Sequence, residues 1–462
     1  MSVRDDLFGL DLEEFGAKLD AVLSPARAIK SPEFLQGRTE QLTEVRQALA
    51  MKGRHVFIHG FRGVGKTSLA YTAANLIQSS ERTPIYVQCS PDGTLASLVH
   101  DIVKQALPSD PTQVKRVTEK NAGGGINLWK FNLSAGMRNT VEQGNLPKPE
   151  SVNDAVELLC FALERHSKRP VVIIDEFDHM PKAEHIQIDL LVKKLAEVDD
   201  FPLKIIMCGV GETLEQLFAA HLSTYRYFHT IKLDRLDLTS CGAILIKAME
   251  SLGVSFDVTT GWRVTRISDG FPHFVHLICE KIFWAMYNDP SKEWLKHGFA
   301  ELDHYRTGTS SAVRSANEEL RKGYDDAVRK YSKNAEVILW AAADGHELQR
   351  KSADMYASYR RIMAANGREP ENSGLPANDW RCRTLTEAQF RARIYNLCKD
   401  KYGEILRGNG RGWYEYSEKM MRGYARLKAE SEGIELYPDH PLMPKQSNTL
   451  AHYMTRERLG TL

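Results

Sequence analysis

The stretch HVFIHGFRGVGKTSLAYTAANLI, residues 55–77, decides the fold. Its opening run HVFIH reads as a buried strand and its closing run SLAYTAANLI as a helix. Between them GFRGVGKT, Gly60 to Thr67, matches the pattern G-x-x-x-x-G-K-[ST] in the strand-loop-helix setting that gives the pattern its meaning. The glycines let several backbone N–H groups point inward at phosphate, and the helix that follows offers its positive end to the same anion. Lys66 is placed to hold the β- and γ-phosphates and Thr67 to ligate a magnesium ion, with Gly60, Arg62, Gly63, Val64, Gly65 and Ser68 completing the expected nucleotide contacts.

The second half of such a site is PVVIIDEFDHM, residues 170–180, a buried strand that ends on two carboxylates. Asp175 is expected to hold the magnesium through water, and Glu176 to polarise the water that attacks the γ-phosphate. The two patterns stand in the right order, about 110 residues apart. Further strand-like runs, TPIYVQC and LKIIMCG, are separated by helical pattern, which predicts a parallel sheet covered by helices on both faces over roughly 50–235.

Composition agrees with a multidomain globular chain. The 462 residues are 42% hydrophobic and 26% charged, with 61 Lys+Arg against 60 Asp+Glu for a net charge of +1. That balance excludes a disordered polyelectrolyte or a uniformly basic coat, so any basic face must be local. No run approaches the length of a membrane span and the acidic start MSVRDDLFGLDLEEF is unlike a secretory leader, which predicts a cytoplasmic protein with no membrane partner. Seven dispersed cysteines without ligand spacing predict reduced thiols, most of them buried.

Beyond the α/β core, LTSCGAILIKAMESLG and FPHFVHLICEKIFWAMY read as amphipathic helices of a small helical domain. A third unit follows a charged helix near 316–331: helices NAEVILWAAA, MYASYRRIMAA and TEAQFRARIYNLCKDKYG, then EILRGNGRGWYEYS as a hairpin with strands at 404–407 and 413–416. Three helices and a hairpin form a winged-helix pattern. The expected boundaries are an N-terminal arm and adenine-side segment over 1–49, the core over 50–235 with a hairpin-like insertion at 119–148, a helical lid over 236–315, the winged helix over 316–435 and a tail over 436–462.

With these residues in hand, the chain resembles the AAA+ ATPases, in the branch of the origin-recognition initiators and transposition-regulator ATPases. The resemblance implies ATP with Mg2+ as cofactors and ATP hydrolysis as the activity. Phe34-Leu35-Gln36-Gly37-Arg38 resembles the branch's adenine-side element and implies ATP over GTP. LKIIMCGVGETLEQLF resembles the strand of the sensor 1 residue, with Glu212 or Thr213 where Asn is usual. HLSTYRYFHTIKLDRL resembles the segment of an arginine finger, with Arg226 as the residue acting in trans, which implies a homo-oligomer. SDGFPHFVHLICE resembles the start of the sensor 2 helix, with Pro272 and His273 where many members place arginine; His273 is either a weak phosphate ligand or a packing residue.

Over 321–430 there are 22 Lys+Arg against 15 Asp+Glu, so charge is segregated toward the third unit. Arg391, Arg393 and Lys399 on the third helix, with Arg407 and Arg411 on the hairpin, are the expected contacts to double-stranded DNA; the other readings of the same module are protein docking and packing within the chain. The functional expectation is an ATP-hydrolysing oligomer that binds DNA and regulates or loads another machine. The alternative is a nucleotide-dependent signalling or defence ATPase whose ATP-bound oligomer activates a protein effector.

Overall fold

The computed structural model describes residues 8–78, 82–107, 148–198, 201–210, 227–329, 333–367 and 380–436. The expected hairpin insertion, sensor 1 position and Arg226 lie outside them. The chain divides into two compact units, one formed by 28–61 and 65–234, the other by 1–27, 62–64 and 235–462.

The unit of 28–61 and 65–234 is built on a five-stranded parallel sheet, helices on both sides, as an AAA+ α/β core has. In chain order its elements are α2 (Thr39–Ala50), β1 (His55–Gly60), α3 (Lys66–Ile77), β2 (Ile85–Gln88), α4 (Leu95–Ala106), α5 (Val152–His166), β3 (Val171–Asp175), α6 (Lys182–Glu197), β4 (Lys204–Gly209) and β5 (Phe228–Leu233); α1 (Leu12–Val22) belongs to the other unit. The strand order is β2-β3-β4-β1-β5, every pairing parallel. Phe57, Ile85, Val87, Val172, Ile174, Ile205 and Met207 pack in one core with α4, α5 and α6. The two-residue period of a strand turns their neighbours Val56, Ile58, Ile173, Ile206 and Asp175 to the opposite face, where α2 and α3 lie.

The other unit begins with α1, which continues in a helical bundle of α7 (Leu238–Leu252), α8 (Val258–Ile267), α9 (Pro272–Tyr287) and α10 (Leu302–Ser315), with a two-strand pair of β6 (Ser255–Phe256) and β7 (Phe299–Ala300). The N-terminal segment read as an acidic arm is packed: Phe8 meets Trp294 edge-on and Phe15 stacks on Tyr287 at 4.4 Å between ring centroids.

There follow α11 (Glu318–Arg329), α12 (Lys333–Ala343), β8 (Gln349–Lys351), α13 (Ser352–Asn366), α14 (Glu387–Leu397), β9 (Leu406–Gly408), β10 (Trp413–Tyr416) and α15 (Lys419–Ser431). From α12 to β10 the order is helix, strand, helix, helix, strand, strand, and the strands form an antiparallel sheet β8-β10-β9. This is the order of a winged helix, with the three-residue strand β8 as an element that hydrophobic patterning does not predict.

Arg422 and Arg426 of α15 are buried, and together with Arg235 they converge on the carboxylate of Asp269. Arg422 Nη2 and Arg426 Nη2 also donate to the carbonyl of Gly345. The basic excess counted in the third unit is therefore not all surface charge.

The seven cysteines are free, and five are buried. Among the described residues no helix is long and apolar enough to cross a membrane.

Candidate nucleotide site

The phosphate loop joins β1 to α3, and its backbone shows why glycine is needed. Gly60 has φ of +152°, and a Cβ there would stand 2.2 Å from the carbonyl oxygen of Leu233. Gly65, at φ +98°, is the N-cap of α3, and Lys66 is the first helical residue, so the free N–H groups of the first turn lie at the end of the loop. Lys66 Nζ donates to the carbonyls of Gly60 and Phe61, each at 3.0 Å, and burial lowers its pKa against the opposing pull of Asp175, Asp178 and Glu176. Arg62 is exposed, Gly63 takes φ of +78° and Val64 is buried.

Asp175 ends β3 and is only 3% exposed. Thr67 Oγ1 donates to its Oδ2 at 2.6 Å, Tyr86 Oη donates to the same oxygen at 3.1 Å, and the backbone N–H of Glu176 donates to Oδ1 at 2.9 Å. A hydroxyl beside a carboxylate is a hard-oxygen donor pair, which suits Mg2+ with its preference for one or two protein oxygens plus phosphate and water. Thr67 and Asp175 are the residues that would hold that ion.

Glu176 adopts φ of +51°, left-handed backbone for a non-glycine residue at a strand end, which is a recurrent mark of functional positions. Gln88 Nε2 donates to its carboxylate, and His179 Nδ1 lies 3.3 Å from the same Oε2. Asp178 sits in the short 3-10 turn Phe177–His179, while Pro181 takes the N-cap position of α6.

Tyr86 and Gln88 are not among the residues that sequence motifs point to. They alternate with the core-facing Ile85 and Val87, and so share the Asp175 face of the sheet. Burial, then the charge of Asp175, raises the Tyr86 pKa, which keeps the phenol a donor.

The adenine-side segment is strapped along α3. Ile29 N–H donates to Ser68 Oγ at 3.1 Å, Thr72 Oγ1 donates to the Ile29 carbonyl at 3.3 Å and Asn75 Nδ2 to the Lys30 carbonyl at 3.0 Å. Arg38 is buried and donates Nη2 to the Asp234 carbonyl at 2.6 Å. In the other unit His273 Nδ1 meets the Pro25 carbonyl at 3.0 Å, and burial lowers its pKa, which favours the neutral ring.

The residues expected to face DNA lie in that unit too. Arg391 is exposed and paired with Glu387 of its own helix, Arg393 is half-buried, and Lys399, Arg407 and Arg411 are exposed. The ammonium of Lys399 lies over the exposed ring of Tyr395, 4.4 Å from its centroid. Arg411 stands at the hairpin tip with φ of +48° between two glycines.

Solved structures similar to this chain include the Walker-type ATPase PABY2304 of Pyrococcus abyssi, at 17% identity over 87% of this chain and 99% of that one with a TM-score of 0.45. The Aeropyrum pernix ORC1 protein in complex with DNA matches at 14% identity over 86% and 94%, with a TM-score of 0.41. The Thermotoga maritima RuvB Holliday junction branch migration motor matches at 15% over 88% and 98%, with a TM-score of 0.39. No curated protein sequence matches the chain. Residues 50–218, which hold the phosphate loop and the acidic strand end, match the family model described as an AAA domain.

Proposed function

We propose that this protein binds ATP with Mg2+ and hydrolyses it, and that it does so as a homo-oligomer assembled on double-stranded DNA to regulate or load another machine. The observation that carries the reading is the convergence of Thr67, Asp175 and Glu176 at the phosphate loop, the two elements meeting through a 2.6 Å hydrogen bond. Lys66 would bind the β- and γ-phosphates, and Thr67 and Asp175 would hold an ion whose chemistry is neutralisation of charge on the phosphate oxygens. Glu176 accepts a proton from the attacking water, whose oxygen displaces ADP from the γ-phosphorus. Arg226 is the residue proposed to reach a neighbour's γ-phosphate.

DNA contact is assigned to α14 and the β9-β10 hairpin, through Arg391, Arg393, Lys399, Arg407 and Arg411. Phosphate neutralisation by such residues supplies affinity with little sequence preference. A second reading, a signalling ATPase that docks a protein effector through the same module, draws support from the pairing of Arg391 with Glu387 and the burial of Arg422 and Arg426. ATP turnover measured with and without duplex DNA over a range of protein concentrations separates the two. Stimulation by DNA with steep concentration dependence supports the first, and turnover indifferent to DNA supports the second.

A further inference from the structure

Asp175 Oδ2 accepts two hydroxyls, and they differ in what they can do when an ion arrives. Thr67 sits in the first turn of α3, donates to Asp175 at 2.6 Å, and its oxygen has a lone pair that would itself ligate the ion. Tyr86 is on β2 and is fixed independently of Asp175. Its backbone N–H donates to Gln105 Oε1 at 3.3 Å and its carbonyl accepts from Gln105 Nε2 at 2.8 Å. Its ring stacks on Tyr71 of α3 at 5.1 Å with 23° between the planes, and Lys30 Nζ lies 4.9 Å from the centre of the Tyr71 ring. The phenol is therefore a preorganised donor to Oδ2 that is not itself a ligand for the ion, and with the Glu176 N–H on Oδ1 it fixes the plane of the carboxylate.

We propose that Tyr86, braced by Tyr71, is a positioning residue for magnesium: its hydroxyl orients Asp175 toward the ion and acts through that carboxylate. The proposal rests on the nucleotide-site reading above. Partners that orient a metal-bound carboxylate commonly account for 10–100-fold in metal affinity. Tyr86→Phe keeps the ring stack and deletes one hydroxyl.

The test is made in a Glu176→Gln background, so that bound ATP persists. Mg2+ is titrated into the ATP-loaded full-length protein, with the heat of binding as readout, and ATP affinity is measured separately in EDTA. Tyr86→Phe is expected to raise the Mg2+ concentration for half-saturation about 10-fold while leaving ATP affinity in EDTA and the melting temperature as in the parent. Tyr71→Leu, which keeps the phenol and removes its brace, is expected to shift the same titration in the same direction by less. An unchanged or tighter Mg2+ titration in Tyr86→Phe overturns the proposal, as does an equal loss of ATP affinity in EDTA, the mark of a residue that only supports the fold. Should Tyr86→Phe fail to fold, the Tyr71→Leu titration decides by the same criterion. A parent that binds no ATP contradicts the nucleotide site itself, a result distinct from any of these.

Discussion

Thr67 Oγ1 and Asp175 Oδ2 lie 2.6 Å apart although 108 positions separate them in the chain. One belongs to the phosphate loop's helix and the other to a strand end, so this hydrogen bond joins the two sequence patterns at the ion site proposed above. Thr67→Ala removes the hydroxyl and leaves the carboxylate. Turnover at limiting Mg2+ should fall about 100-fold, an effect of about 2.7 kcal/mol, with partial recovery as Mg2+ is raised. A steady-state Mg2+ titration checks this.

Glu176 follows Asp175 in the chain, and its carboxylate is anchored separately, on Gln88 and near His179. Glu176→Gln keeps the size and a hydrogen-bonding group while removing the base. ATP binding should be retained and turnover should drop by about 10²–10⁴-fold, as removal of a general base does. Binding and single-turnover measurements on the same preparation distinguish this from collapse of the site.

Arg407 and Arg411 are exposed on the hairpin, with Arg411 at its tip. Replacing both by Ala should weaken duplex binding and reduce the slope of log K against log salt by about 2, one unit for each DNA phosphate that the hairpin no longer neutralises. Binding isotherms at several salt concentrations measure that slope. An unchanged slope moves the module to protein docking.

Asp269 is the acidic centre for three arginines, two of them buried on α15. Asp269→Asn leaves guanidinium charge in the interior without its counter-ion. Breaking such a buried group costs about 3–5 kcal/mol. Chemical denaturation should register a destabilisation of that order, whereas Arg391→Ala, at an exposed pair, should change stability by less than about 1 kcal/mol.

Two buried histidines predict acid sensitivity. Burial, aided by Lys204, lowers the His55 pKa to about 3, and burial lowers that of His276 to about 4. The unfolded chain takes up these protons near pH 6.5 and the folded chain does not, so the stability the neutral rings confer is complete above pH 6.5 and is lost progressively as pH falls toward the folded values. Each accounts for up to about 2 kcal/mol between pH 6.5 and 5. The melting temperature should fall over that interval, and His55→Gln should flatten the fall.

The loop and the acidic strand end are legible in the sequence because their chemistry requires particular residues at particular spacing. β5 does not read as a strand: as the sheet's edge it alternates buried and exposed residues through FHTIKL, unlike the continuous apolar runs of β3 and β4. β8 is the three polar residues Gln-Arg-Lys, placed by pairing with β10 and by Arg350, which donates to the Ala341 carbonyl and to Ser358 Oγ. α8, VTTGWRVTRI, is rich in β-branched residues that favour strands, yet its Trp262 and Ile267 are buried in a helical bundle. Tyr86 and Gln88 belong to no spacing rule; only the register of β2 against β3 brings them to the Asp175 face. Charge counting puts Arg422 and Arg426 in a basic region, whereas pairing with Asp269 turns both inward.

Hydrolysis of ATP by the loop of Lys66 and Thr67 with Asp175 and Glu176 is to be measured as Mg2+-dependent phosphate release from the purified protein beside its Lys66→Ala variant. Release is expected to require Mg2+ and to disappear in Lys66→Ala. Equal release by the two proteins, or release by neither at any protein concentration with duplex DNA present, would contradict it.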